Sequence, residues 1–89
     1  MTPDAVRARV HAILAEQAMV DVSDVEDGLR LVDLGIDSMG VVEVIFAIEE
    51  AFDVQVPYNA NAPEAGGFDV STVAGVVAGV RELVAPRPG

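Results

Sequence analysis

The chain has 89 residues, with fifteen acids against five bases and a formal net charge of -10. That length makes one domain with a thin core, and that charge repels nucleic acid and anionic lipid and favours basic protein partners. With no cysteine and one histidine, His11, the chain has neither a disulfide staple nor the ligand set of a zinc site.

In chain order, Thr2-Pro3-Asp4 reads as a helix start, with Thr as cap, Pro at the first helical position and an acid in the first turn. Val6, Val10, Ile13 and Leu14 then recur at helical spacing, so a first amphipathic helix is expected from residue 3 to about 18. The start lacks the apolar run of a signal peptide, and charges interrupt every stretch before it reaches the roughly 18 apolar residues of a membrane span. A cytoplasmic protein with no membrane insertion is expected. Residues 19–37 have no clean period. Asp21, Ser23, Asp24, Asp27 and Gly28 break the run, while Leu29, Leu31, Leu34 and Ile36 alternate as if pinning a long loop to the core.

A second helix is expected from Ser38 to about Phe52. The run "VVEVIF" favours a strand by its β-branched residues. Helical spacing nonetheless continues through Ile48 to Phe52, with the helix formers Ala47, Glu49, Glu50 and Ala51 between. Residues 57–68, "PYNANAPEAGGF", read as loop with at most one short turn. Ser71 or Thr72 caps a last helix carrying Val73, Val76, Val77, Val80, Leu83 and Val84. The expectation is an all-α domain over 1–85, three long helices and one short one in a four-helix bundle, with a frayed tail at 86–89.

On a wheel of about 100° per residue, Val41, Val44, Ile45, Ile48 and Phe52 fall on one arc, the core face. Met39, Val42 and Phe46 fall nearly opposite, among Glu43 and Glu50, with Glu49 at the edge. An apolar stripe ringed by carboxylates describes a docking surface as well as it describes an ordinary solvated face. Ser38 has two readings too. A serine at a helix start is most often an N-cap; alternatively, the positive end of the helix suits a serine bearing an anionic ester such as a phosphodiester.

The stretch "DLGIDSMGVVEVIFAIEEAF", with "VP" four residues later and a Val-rich last helix, resembles the acyl carrier proteins. The resemblance rests on Leu34-Gly35, Asp37-Ser38-Met39, Glu43, Glu49-Glu50 and Phe52 standing together, and it covers residues 3–56 and the last helix. It implies a small four-helix bundle that is not an enzyme. Ser38 would receive 4'-phosphopantetheine from coenzyme A through a magnesium-dependent phosphopantetheinyl transferase, and would carry acyl groups as thioesters for fatty acid, polyketide or related lipid synthesis. It further implies that Asp37 helps present Ser38 to the basic transferase and that Met39 inserts into partners. Glu43, Glu49 and Glu50 would pair with Arg and Lys of acyl- or aminoacyl-loading and processing enzymes, and Val42 and Phe46 would complete the contact. A monomer is expected. "DSMG", with Gly40 where many members have a larger or acidic residue, also resembles the D-alanyl carrier proteins, so an aminoacyl cargo is the alternative; an unmodified acidic helical adaptor is the next. The resemblance places a short third helix in 57–69, a segment longer and richer in Pro and Gly than the family's usual one.

Two other classes fit poorly. Gly35-x-x-Ser38-x-Gly40 is one residue off a hydrolase elbow, lacks the strand that elbow needs, and offers only His11 within a helix as base. The acidic loop "DVSDVEDG", set by Gly28 as a calcium loop, puts Val25 and Leu34 where oxygen ligands are required. Gly75 and Gly79 are spaced for close packing, or for a looser last helix that could part around Val73, Val77 and Val80 to shelter an acyl chain.

Overall fold

The computed structural model describes residues 3–58 and 68–84, with side chains from Ala5 onward. Among the described residues three α-helices form: α1 (Pro3–Ala18), α2 (Ser38–Phe52) and α3 (Val73–Val84). Among the described residues there is no strand, only an isolated antiparallel bridge between Arg30 and Thr72. The all-α expectation therefore holds. The Thr2 cap, the tail and nearly all of the segment for a short third helix lie outside the described residues.

Each helix gives one stripe to a shared core. Val6, Val10 and Leu14 of α1, Val44 and Ile48 of α2, and Val73, Val76 and Val80 of α3 are all but inaccessible to solvent. Each such side chain contributes about 1.5–3 kcal/mol of transfer free energy. The α1 stripe is wider than its spacing suggested, because His11 and Ala15 are also buried, while Ile13 stands half-buried at the rim. α1 and α2 run antiparallel. Gln17 near the end of α1 donates to Glu43 early in α2 at 2.7 Å, and Arg9 and Ala12 face Glu50 and Ala51 near the other end.

The long connection between α1 and α2 is more ordered than the sequence suggested. It contains two 3-10 turns, Val22–Asp24 and Leu31–Leu34. The second turn opens with the Arg30 N–H on Asp33 Oδ2 at 3.0 Å. It closes at Gly35, whose φ of 80° is the left-handed conformation open to glycine. Val25, Leu31 and Ile36 thereby enter the core, with Leu29 and Leu34 packed against it. The alternating residues do pin the loop, as expected.

The same loop satisfies the start of α3. A helix begins with four N–H groups that have no partner in the helix. Here Val73 N–H donates to the Leu29 carbonyl at 2.9 Å and Ala74 N–H to the Asp27 carbonyl at 3.0 Å. Gly75 N–H donates to Thr72 Oγ1 at 3.0 Å. Thr72, not Ser71, is thus the capping residue. Ser71 turns its N–H and hydroxyl to the Asp69 carboxylate and holds it below the usual carboxylate range.

The spacing of Gly75 and Gly79 reflects close packing, and the packed element is the segment leading into α3. A Cβ on Gly79 would lie 2.6 Å from the Phe68 ring, and one on Gly75 would overlap the Asp69 carboxylate. Phe68 is buried against α3 there. The glycines admit that ring and that carboxylate.

His11 has a partner that the sequence did not reveal. Its Nε2 lies 3.0 Å from Asp27 Oδ1, and Arg7 donates to Asp27 Oδ2 at 3.2 Å. The Arg7 hydrogen bond first, and that of His11 second, hold the Asp27 carboxyl below its ordinary range. Through its side chain and its carbonyl, Asp27 joins α1, the loop and α3.

Candidate functional site

α2 begins at Ser38, but Ser38 does not cap it. Asp37 is the N-cap, with extended backbone (φ -87°, ψ -173°), and its Oδ1 accepts the Gly40 N–H at 2.8 Å. Val41 N–H follows on the Asp37 carbonyl at 2.9 Å. The capping role open to Ser38 in the sequence is therefore taken by its neighbour. The Ser38 hydroxyl is exposed and makes no hydrogen bond to any described residue, and the same holds for the backbone N–H groups of Ser38 and Met39. A primary hydroxyl thus stands free at the positive end of a fifteen-residue helix.

Gly40 is needed for this geometry. A Cβ there would meet Ile36 Cγ2 at 2.9 Å, so glycine lets the helix start sit against the loop. Beside Ser38 an open cleft of about 350 Å³ runs between the second 3-10 turn, the first turn of α2 and the segment before α3. Its apolar walls are Leu31, Val32, Ile36, Val41 and Val70, with Arg30 at a polar edge. No pattern in the sequence pointed to Val32, Val70 or Arg30 here, because three separate segments converge.

The structure brings Met39, Val42, Glu43 and Phe46 together on the outward side of α2. Met39 is 73% exposed and Phe46 63%, with Val42 half-buried and Glu43 exposed. The expected core arc lies opposite: Val41, Val44, Ile45 and Ile48 are buried and Phe52 packs at the edge. The acidic ring divides. Glu43 and the exposed Glu50 border α1, where Glu50 shares a groove with Arg9, Glu16 and Ala47. Glu49 leans the other way, and its Oε2 accepts the Val56 N–H at 2.9 Å, fixing the chain as it leaves α2. That carboxylate is partly committed inside the chain, which the wheel could not show.

No basic group among the described residues contacts the Ser38 hydroxyl, and His11 is turned to Asp27 instead. The hydroxyl accordingly lacks the neighbouring base that makes a serine a nucleophile in its own right. Val25 lies in the core, so the acidic loop is not a calcium loop. Among the described residues no group of three acidic or histidine side chains is placed to hold a metal, and no helix is long and apolar enough to cross a membrane.

An exposed hydroxyl that needs an outside enzyme, at a helix start with free N–H groups, fits an attachment point for an anionic ester. The family defined by the phosphopantetheine attachment site matches residues 8–60, and the chain belongs to it: it is a non-catalytic carrier protein that bears 4'-phosphopantetheine covalently on a serine. Among individual relatives it is 43% identical over 79 residues to the D-alanyl carrier protein of Streptococcus sanguinis, across 88% of this chain and 94% of the relative. It is 44% identical, over the same spans, to the D-alanyl carrier proteins of Streptococcus gordonii and Streptococcus thermophilus.

Proposed function

We propose that Ser38 is the serine that bears the prosthetic arm and that the arm carries a small aminoacyl group of the D-alanyl type. The chain has three serines, Ser23, Ser38 and Ser71. Ser71 lies beyond the matched segment and is bonded to Asp69. Ser23 sits within a 3-10 turn. Ser38 alone begins a long helix with its hydroxyl unengaged, and the observation that carries the assignment is that Asp37 does the capping. A phosphodiester there would be favoured by the helix dipole and by the two free N–H groups, while the neighbouring cleft leaves room for the arm.

The cargo reading rests on the D-alanyl carrier relatives, aligned over most of both chains. Fatty acid or polyketide synthesis is favoured by the general resemblance alone. The protein itself supplies presentation: the exposed side of α2, centred on Met39 and Phe46 and flanked by Glu43 and Glu50, meets basic enzymes transiently.

Intact-protein mass tests both parts. After incubation with coenzyme A, magnesium and a broad-specificity phosphopantetheinyl transferase, the parent and a Ser23→Ala variant gain one phosphopantetheine, and Ser38→Ala gains none. A gain in Ser38→Ala would overturn the assignment. The modified protein is then offered D-alanine, L-alanine or a fatty acid, each with ATP and a matching adenylating ligase. Loading with D-alanine supports the cargo reading, and loading with the fatty acid alone would return it to acyl transport.

A further inference from the structure

Three described residues have left-handed backbone: Gly35, Asp53 and Met19. Glycine reaches that conformation without cost, and Asp tolerates it through local hydrogen bonds. Methionine has neither excuse. Met19, with φ 60°, ends α1 in a turn where Met19 N–H bonds to the Glu16 carbonyl and Val20 N–H to the Ala15 carbonyl. Helices that end this way usually place glycine at this position. The side chain gains nothing from the fold in return, because Met19 is 91% exposed. Val20 and Val22 beside it are exposed as well.

This patch lies at the Ser38 end of the molecule. Gln17, two residues before Met19, reaches Glu43, and its Nε2 is 3.5 Å from where a Gly40 Cβ would stand, two residues past Ser38. The patch is acidic throughout: Glu16, Asp21, Asp24 and Glu26 surround it in sequence, and no Arg or Lys occurs between Arg9 and Arg30. It therefore continues the apolar, acid-rimmed chemistry of Met39, Phe46 and Glu43 across the Gln17–Glu43 bond onto the end of α1.

We propose that Met19, with Val20, Val22 and the carboxylates of Asp21 and Asp24, is a second docking point for the enzyme that attaches the arm. Coenzyme A carries several phosphate charges, so an enzyme holding it against Ser38 presents cations beside its bound donor, and an acidic carrier surface complements them. An apolar recess beside those cations would take the Met19 side chain, whose flexible thioether suits an imperfectly shaped pocket. The proposal rests on Ser38 being the attachment serine.

The test is the KM for the unmodified protein, and kcat, in phosphopantetheine transfer from coenzyme A by a broad-specificity transferase. Met19→Gly removes the side chain and relieves the left-handed backbone, so its melting temperature should equal or exceed the parent's. Its KM should rise about fivefold with kcat unchanged, Met19→Leu should restore most of the parent's KM, and Asp21→Lys with Asp24→Lys should raise KM and flatten its salt dependence. A KM for Met19→Gly within about twofold of the parent's would overturn the docking point while leaving Ser38 assigned. Transfer to a Ser38→Ala variant would overturn the Ser38 assignment and this proposal with it.

Discussion

At Asp37 a short side chain holds two duties that chemistry can separate. Its carboxylate caps α2 through Gly40 N–H, and its charge stands beside the Ser38 hydroxyl, the proposed attachment point. Asparagine caps about as well as aspartate, whereas alanine costs about 1 kcal/mol. Asp37→Asn should therefore keep its stability in urea titration yet raise the KM for arm transfer, while Asp37→Ala should lose both. Gly79 makes a sharper case. Alanine is favoured over glycine in a helix by up to about 1 kcal/mol, but here its Cβ would press on the Phe68 ring, and overpacking costs about 1–3 kcal/mol. Gly79→Ala should be net destabilising in thermal melts. Combined with Phe68→Leu, it should cost clearly less than the two single changes summed.

At the scale of elements, what could be read from the sequence divides by the range of the interaction. The two faces of α2 were legible because they follow from its own period: Val44 and Ile48 went inward, Met39 and Phe46 outward. Ser38 stood out by its motif, but its freedom from capping depends on the Asp37 rotamer and backbone. The 3-10 turns were illegible, since Leu31–Leu34 is held by Gly35 locally and by Ser71, forty residues away, whose carbonyl accepts the Leu31 N–H. His11 interrupted an apolar stripe with nothing nearby to explain it, because Asp27 approaches from another element. That contact has a pH signature. The Asp27 carboxyl titrates below its ordinary range when folded, because of the Arg7 bond first and His11 second. Its contribution is therefore present above the ordinary carboxylate pKa of about 4 and is lost as pH falls through the lower folded value. Asp27→Asn should be less stable at neutral pH, with a shallower loss of stability on acidification, as followed by melting temperature between about pH 6 and pH 2.

The whole molecule carries fifteen acids and five bases, and its exposed side of α2 adds no cation to its carboxylates. Encounter with a basic enzyme should be fast and sensitive to salt, because exposed charges are screened beyond about 8–10 Å near physiological ionic strength. Glu43→Lys with Glu50→Lys should slow association with the transferase about tenfold at low salt, as read by stopped-flow, with unchanged circular dichroism. The same comparison at about 1 M salt should bring the two rates together.

The loop carbonyls that complete the first turn of α3 bind distant parts of the chain into one opening event. The amides of Leu31, Val73 and Ala74 are all bonded across the junction between the loop and α3. None of them can exchange its hydrogen with solvent until that junction parts. In hydrogen–deuterium exchange the three should share one opening free energy, well above that of the exposed turn at Val22–Asp24. The stretch leading to Ser38 and the start of the last helix then behave as a single cooperative unit, so the hydroxyl is presented from a base that does not fray independently of the fold.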